Sequence, residues 1–164
     1  MSGCQGRPPF RIERARSILK GTLYCNAEKL RLRRSKAMPE VADILAIHEL
    51  LALYGHIIDE REWQRVGELF TADALYDMSD FGLGVMRGAA AIRAVWSRPD
   101  AIHPLAHHAT SIVVTEDPDG RVRVLSKGLG VGSNGRVGSV VYRDIVVRTA
   151  DGWRFAERKA QVRR

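Results

Sequence analysis

Asp59 closes an apolar helical stretch, Tyr54-Gly55-His56-Ile57-Ile58-Asp59, and about fifty residues later His107-His108 opens a β-like run through Ile112-Val113-Val114. A carboxylate that meets an imidazole fixes its orientation and tautomer, and imidazole is the ordinary side chain for proton transfer near neutral pH. Removal of an acidic C–H beside a carbonyl, with loss of water or halide, needs little beyond such a pair. A polar group for the developing oxyanion would complete it. No cofactor is expected for this chemistry. Neighbouring strand residues point to opposite faces, so only one of the two histidines can meet Asp59. The same divergence keeps His107, His108 and a carboxylate from converging on a metal, and no metal is expected.

The elements that must position these groups read as helices first and strands later. Pro39 opens a helix running to about Glu62, on which Val41, Leu45, His48, Ala52, Gly55, Asp59 and Trp63 fall close to one line. Leu50, Leu53 and Ile57 line the opposite side, so the helix is expected to be sandwiched. Residues 63–70 read as a second short helix, residues 74–78 as a strand, 81–88 as a glycine-punctuated turn and strand, and 89–97 as a helix. From His107 the pattern turns β: strands at 107–115, 122–126, 137–149 and 153–162, with turns at Asp117-Pro118-Asp119-Gly120, Ser133-Asn134-Gly135 and Ala150-Asp151-Gly152. Gly128, Gly130 and Gly132 have no helix after them and read as bulges or turns rather than a phosphate loop. This order makes the fold class α+β.

Charge narrows the partners. Of 26 Lys/Arg and 19 Asp/Glu, residues 1–37 hold ten and two, leaving 16 positive and 17 negative groups, a net of −1, in residues 38–164. Nucleic acid is therefore an unlikely partner for the domain; a basic-surface argument applies to residues 1–37 alone. Those residues read as a basic, disordered extension before Met38, the natural start on this reading, with a targeting segment or a nucleic-acid arm as the alternatives. Both cysteines, Cys4 and Cys25, lie there, which excludes a disulfide or a Cys-ligated metal within 38–164. No run of about 18 purely apolar residues is present, so no membrane partner is expected. No secretory h-region is evident, and a cytoplasmic setting is the expectation.

Three pieces of sequence carry a resemblance. They are Tyr54-x4-Asp59-x3-Trp63 with Leu69-Phe70-x2-Asp73-Ala74; His107-x2-Thr110-Ser111; and Val141-Tyr142-Arg143-Asp144 followed by Asp151-Gly152-Trp153-Arg154-Phe155 and Arg158. In this order and spacing they resemble the SnoaL-like branch of the nuclear-transport-factor-2-like (NTF2-like) superfamily across about 40–164. That group includes scytalone dehydratase, bile-acid dehydratase, dehydrochlorinases, ketosteroid isomerase and polyketide cyclases. The resemblance implies a cone-shaped α+β barrel, a curved and mostly antiparallel sheet wrapped around N-terminal helices, with an apolar pocket and a homodimer formed through the sheet. It implies a lyase or isomerase acting on a hydrophobic cyclic or polyketide-like molecule, with Asp59 and His107 as the acid–base pair; His108 leaves the alignment open by one residue. A non-catalytic binding or dimerisation domain is the alternative. His108, Tyr54, His48, Tyr76, Met78, Ser111, Tyr142 and Trp63 are the candidate binding residues. Ile58 and Met78 stand where the scytalone-type pattern has tyrosines, and Tyr54, Tyr76 and Tyr142 are the substitutes this chain offers. Ser111 stands where relatives usually carry Asn. Arg158, Arg163 and Arg164 read as a solvated C-terminal edge.

Overall fold

A computed structural model describes residues 39–163; the expectations for residues 1–37 fall outside the described residues. Helix α1 (Val41–Asp59) is followed by a 3-10 turn (Trp63–Arg65) and the single-turn α2 (Val66–Leu69). Strand β1 (Phe70–Met78) runs four residues earlier than the pattern suggested, pairing at Phe70 with Phe155. Strand β2 (Gly84–Arg87) and helix α3 (Ala89–Trp96) follow, and then the meander β3 (Ala106–Glu116), β4 (Val122–Val131), β5 (Val137–Thr149) and β6 (Gly152–Val162).

The six strands form one sheet in the order β2-β1-β6-β5-β4-β3, antiparallel throughout except for the β1–β6 pair. The sheet does not close. Among the described residues strands β2 and β3 are its edges, so the expected barrel is an open, curved sheet with α1 against its inner face.

The burial of α1 differs from the helical-wheel expectation. Its packed face is Ile47, Leu50, Leu51, Tyr54, Ile57 and Ile58, while Val41 and Leu45 are exposed. At 19 residues α1 is long and apolar enough to cross a bilayer, contrary to the run-length reading, yet this face lies in the core. The i, i+4, i+7, i+11 series from Ile47 to Ile58 is one helix face. Each aliphatic side chain buried there contributes about 1.5–3 kcal/mol. Asp59 lies at the margin of that face, not in an apolar stripe.

Two β-bulges decide which side chains face inward. Thr110 pairs with Lys127 and Val113 with Leu125, so β3 carries one extra residue at Ser111-Ile112. Ser111 takes a left-handed conformation there, φ 51°. Between β5 and β6, Ile145 opposes Glu157 but Val146 opposes Phe155, which makes Ala156 the extra residue of β6. An extra residue reverses the alternation beyond it. Ser111 is thereby exposed, and Arg158 is turned into the interior, 1% exposed, instead of onto the expected solvated edge.

Gly128 is neither bulge nor turn. It pairs regularly with Ala109 and Val140, and a Cβ there would collide with the Tyr142 ring and sit 2.7 Å from Val140 Cγ2. Its missing side chain makes room for Tyr142.

An aspartate–histidine pair on the wall of an aromatic cavity

Asp59 is the last residue of α1, where a carboxylate meets the negative end of the helix dipole. What offsets that placement is β3. The His107 backbone N–H donates to Asp59 Oδ2 at 2.9 Å, and His107 Nδ1 lies 2.6 Å from Asp59 Oδ1. An ionised carboxylate only accepts, so Nδ1 is the donor in this contact; in the neutral imidazole Nε2 then keeps its lone pair. Both side chains are mostly buried.

The approach of α1 to β3 that allows this contact depends on Gly55. A Cβ on Gly55 would stand 2.7 Å from the His107 carbonyl oxygen. Gly55→Ala is expected to push β3 off the helix, with a loss of about 1–3 kcal/mol. Chemical denaturation would measure the loss, and unchanged stability together with an unshifted His107 ring resonance would refute the close-approach argument.

His107 lines a cavity of about 550 Å³. Tyr54, Tyr76, Trp96 and Tyr142 supply its aromatic wall, with Ile58 and Met78 beside them; Phe81, Leu83 and Ile102 stand toward solvent. The Tyr54 and Tyr76 hydroxyls share a hydrogen bond of 2.6 Å. Burial pushes both phenols, and that of Tyr142, above their ordinary titration range, with the Arg158 cation pulling the other way. They are therefore neutral hydroxyl groups, able to donate.

Behind this wall lies a charged group that alternation alone could not reveal. The Arg158 guanidinium sits 3.9 Å from the Tyr54 ring centroid, 4.0 Å from that of Tyr142 and 4.3 Å from that of Phe155. Arg158 Nε lies 3.3 Å from Asp144 Oδ1, and both side chains are fully buried. Among the described residues neither has a hydrogen-bond partner, and Ser126 Oγ has none either. The pair is held by charge and ring faces, not by hydrogen-bond geometry. The sequence signal that could have found it is Asp144 two residues after Tyr142, on the same face of one strand, since a carboxylate buried there demands a counter-charge.

Other candidates stand elsewhere. His108, opposite Leu129 on β4, faces the outer side of the sheet, and Ser111 is exposed at the bulge. Neither His48 on α1 nor Trp63 lines the cavity. Trp63 packs behind it against His103 with ring centroids 5.0 Å apart, and His103 does line the wall, its Nε2–H donating to the Trp96 carbonyl at 2.9 Å. Trp96, at the end of α3, and His103 and Arg136, on connections, are wall residues absent from the sequence-based site, because how the end of a helix and the path of a loop meet the sheet is set only in three dimensions.

Residues 39–159 match the SnoaL-like domain family profile. No curated protein matches the sequence. Among solved structures, a candidate aromatic ring hydroxylase from Novosphingobium aromaticivorans is 31% identical, with a TM-score of 0.62 over 75% of this chain and 90% of that one. A Kribbella flavida protein is 26% identical, TM-score 0.59, over 75% and 92%. A candidate scytalone dehydratase from Novosphingobium aromaticivorans shares the fold alone at 17% identity, TM-score 0.61, over 76% and 86%. Because the profile spans nearly all the described residues, and a 31%-identical relative covers three quarters of the chain, this protein belongs to the SnoaL-like domain family.

Proposed function

We propose that the domain is a small lyase or isomerase of the dehydratase or cyclase type, acting on a hydrophobic cyclic molecule through Asp59 and His107. The observation that carries this reading is the Asp59–His107 contact, with His107 on the wall of a largely apolar cavity rich in aromatic rings. His107 Nε2 is the base that removes a proton from carbon beside a carbonyl. Asp59 holds the ring and balances the imidazolium that results. The neutral Tyr54–Tyr76 hydroxyl pair donates to the developing enolate oxygen, and His107 returns its proton to the departing hydroxyl in a dehydration. The phenols thus take the task that tyrosines at the Ile58 and Met78 positions would have had. The name of the 31%-identical relative supports a ring-bearing ligand.

The outer face of the sheet, with Val113, Leu125 and Leu129 exposed on it, is the surface assigned here to a homodimer. Light scattering would then give twice the 18.3 kDa chain mass, and a monomer at micromolar concentration would remove the assignment.

The chemistry is tested by incubating the protein with β-hydroxy cyclic ketones in D2O and following their mass. Exchange at the carbon beside the carbonyl and loss of water are both expected. Ligands that bind, yet neither exchange nor eliminate on any member of the panel, would favour a non-catalytic binding domain instead.

A further inference from the structure

We propose that the ligand is an amphipathic monoanion, an apolar ring system ending in a carboxylate, whose charged end is held by Arg136 at the cavity mouth. The proposal deepens the reading of this cavity as the substrate site and rests on it.

The wall contains five side chains that can carry charge: Arg98, Asp100, His103, His107 and Arg136. Four are already engaged. Arg98 grips Asp100 through two hydrogen bonds, Nε to Oδ1 at 3.0 Å and Nη2 to Oδ2 at 2.6 Å. His103 is bonded to the Trp96 carbonyl, and His107 to Asp59. Arg136 has no acidic partner among the described residues; its ion pairs and side-chain hydrogen bonds are absent there. The rest of the wall is dominated by apolar and aromatic groups, which leaves the cavity with one uncompensated fixed charge, at its rim.

The backbone at that position is fixed by two hydrogen bonds, while the side chain is exposed. Arg136 ends the tight turn between β4 and β5, where its carbonyl accepts from Gly132 N–H at 2.8 Å and its own N–H donates to Asn134 Oδ1 at 3.0 Å. Gly130, Gly132 and Gly138 line the adjoining wall; the space beside Gly138 is open, while Pro104 packs over Gly130. A ligand lying along this glycine track meets the phenols and His107 at its inner end and Arg136 at its outer end. One guanidinium matches one carboxylate, with its paired oxygens, better than it matches a dianion.

The test uses 1-pyrenebutyric acid and its methyl ester as probes of the whole chain, with pyrene fluorescence reporting binding. The acid is expected to bind on the order of tenfold more tightly than the ester, with the preference shrinking at high salt because the rim is exposed. Arg136→Gln should remove the preference by weakening the acid alone, and Arg136→Lys should keep most of it. Equal affinities for acid and ester overturn the proposal, as does an Arg136→Gln variant that weakens both alike or binding of neither probe. Because no turnover is read, the anion preference can fail while the Asp59–His107 chemistry stands, and the reverse.

Discussion

Asp59→Asn is expected to lower kcat/KM by about 10²–10⁴-fold while leaving the affinity for an apolar, unreactive ligand within about twofold. Two donors from His107, its backbone N–H and Nδ1–H, face the two oxygens of Asp59. Asparagine has one acceptor and one donor to offer in that place. If its oxygen meets the backbone N–H, its amide group faces Nδ1 and selects the tautomer protonated on Nε2, which cannot act as the base. If the amide is turned over, two donors oppose each other at the backbone. Either arrangement removes the charge that stabilises the imidazolium. His107→Gln should fall by a similar factor, and the double variant by little more than either single one, because the two residues act as a unit. Steady-state kinetics on a substrate from the ketone panel, with circular dichroism to verify folding, makes the comparison. An Asp59→Asn enzyme as fast as the parent would reduce the pair to a structural hydrogen bond.

Arg158→Met is expected to destabilise the fold by about 3–5 kcal/mol at pH 8, the largest loss of any single change proposed here. The change leaves Asp144 buried without its counter-charge, in a site where neither carboxylate oxygen has a hydrogen bond among the described residues. Adding Asp144→Leu should restore most of the loss, since two apolar groups can replace a buried pair at little net cost. The dependence on pH has a definite sign. Burial pushes the Asp144 carboxyl from its ordinary 3.8 up to about 7, against the pull of Arg158. Between those values the folded chain holds a proton that the unfolded chain has released. The stability tied to this group is therefore complete below about pH 4 and declines as the pH rises through 7. The Arg158→Met penalty should accordingly be smaller at pH 5, where Asp144 is neutral, than at pH 8. Urea unfolding at the two pH values reads both effects. A penalty independent of pH, or a double variant no more stable than the single, would mean that the packing of Arg158 against the three rings, not its charge, is what matters.

Much of this architecture follows from short-range pattern. Strands β3, β5 and β6, the turns at Asp117–Gly120 and Ser133–Gly135, and the glycine at Gly152 recur in the structure close to where the pattern puts them, because turn chemistry and alternation are local properties; β4 runs on from the expected Ser126 to Val131, through Gly128 and Gly130. The helix-then-sheet order carries the α+β class for the same reason. Alternation also required that His107 and His108 part company, and they do: one meets Asp59 and the other lies on the outer face of the sheet.

What needed the tertiary structure was everything that depends on register between distant strands and on the path of the connections. One inserted residue at Ala156 reverses the faces of β6, so the same basic C-terminal strand that reads as a solvated edge carries Arg158 into an aromatic cage. One inserted residue at Ser111-Ile112 does the opposite for Ser111, lifting it out of the interior. The helical wheel of α1 could not choose between two apolar sides, because the sheet that covers one of them is assembled in part from residues more than a hundred positions away. The Asp59–His107 contact itself has both kinds of cause. Residue type and alternation nominate the partners, but the meeting requires Gly55 to let helix and strand approach to a distance that no β-carbon would permit.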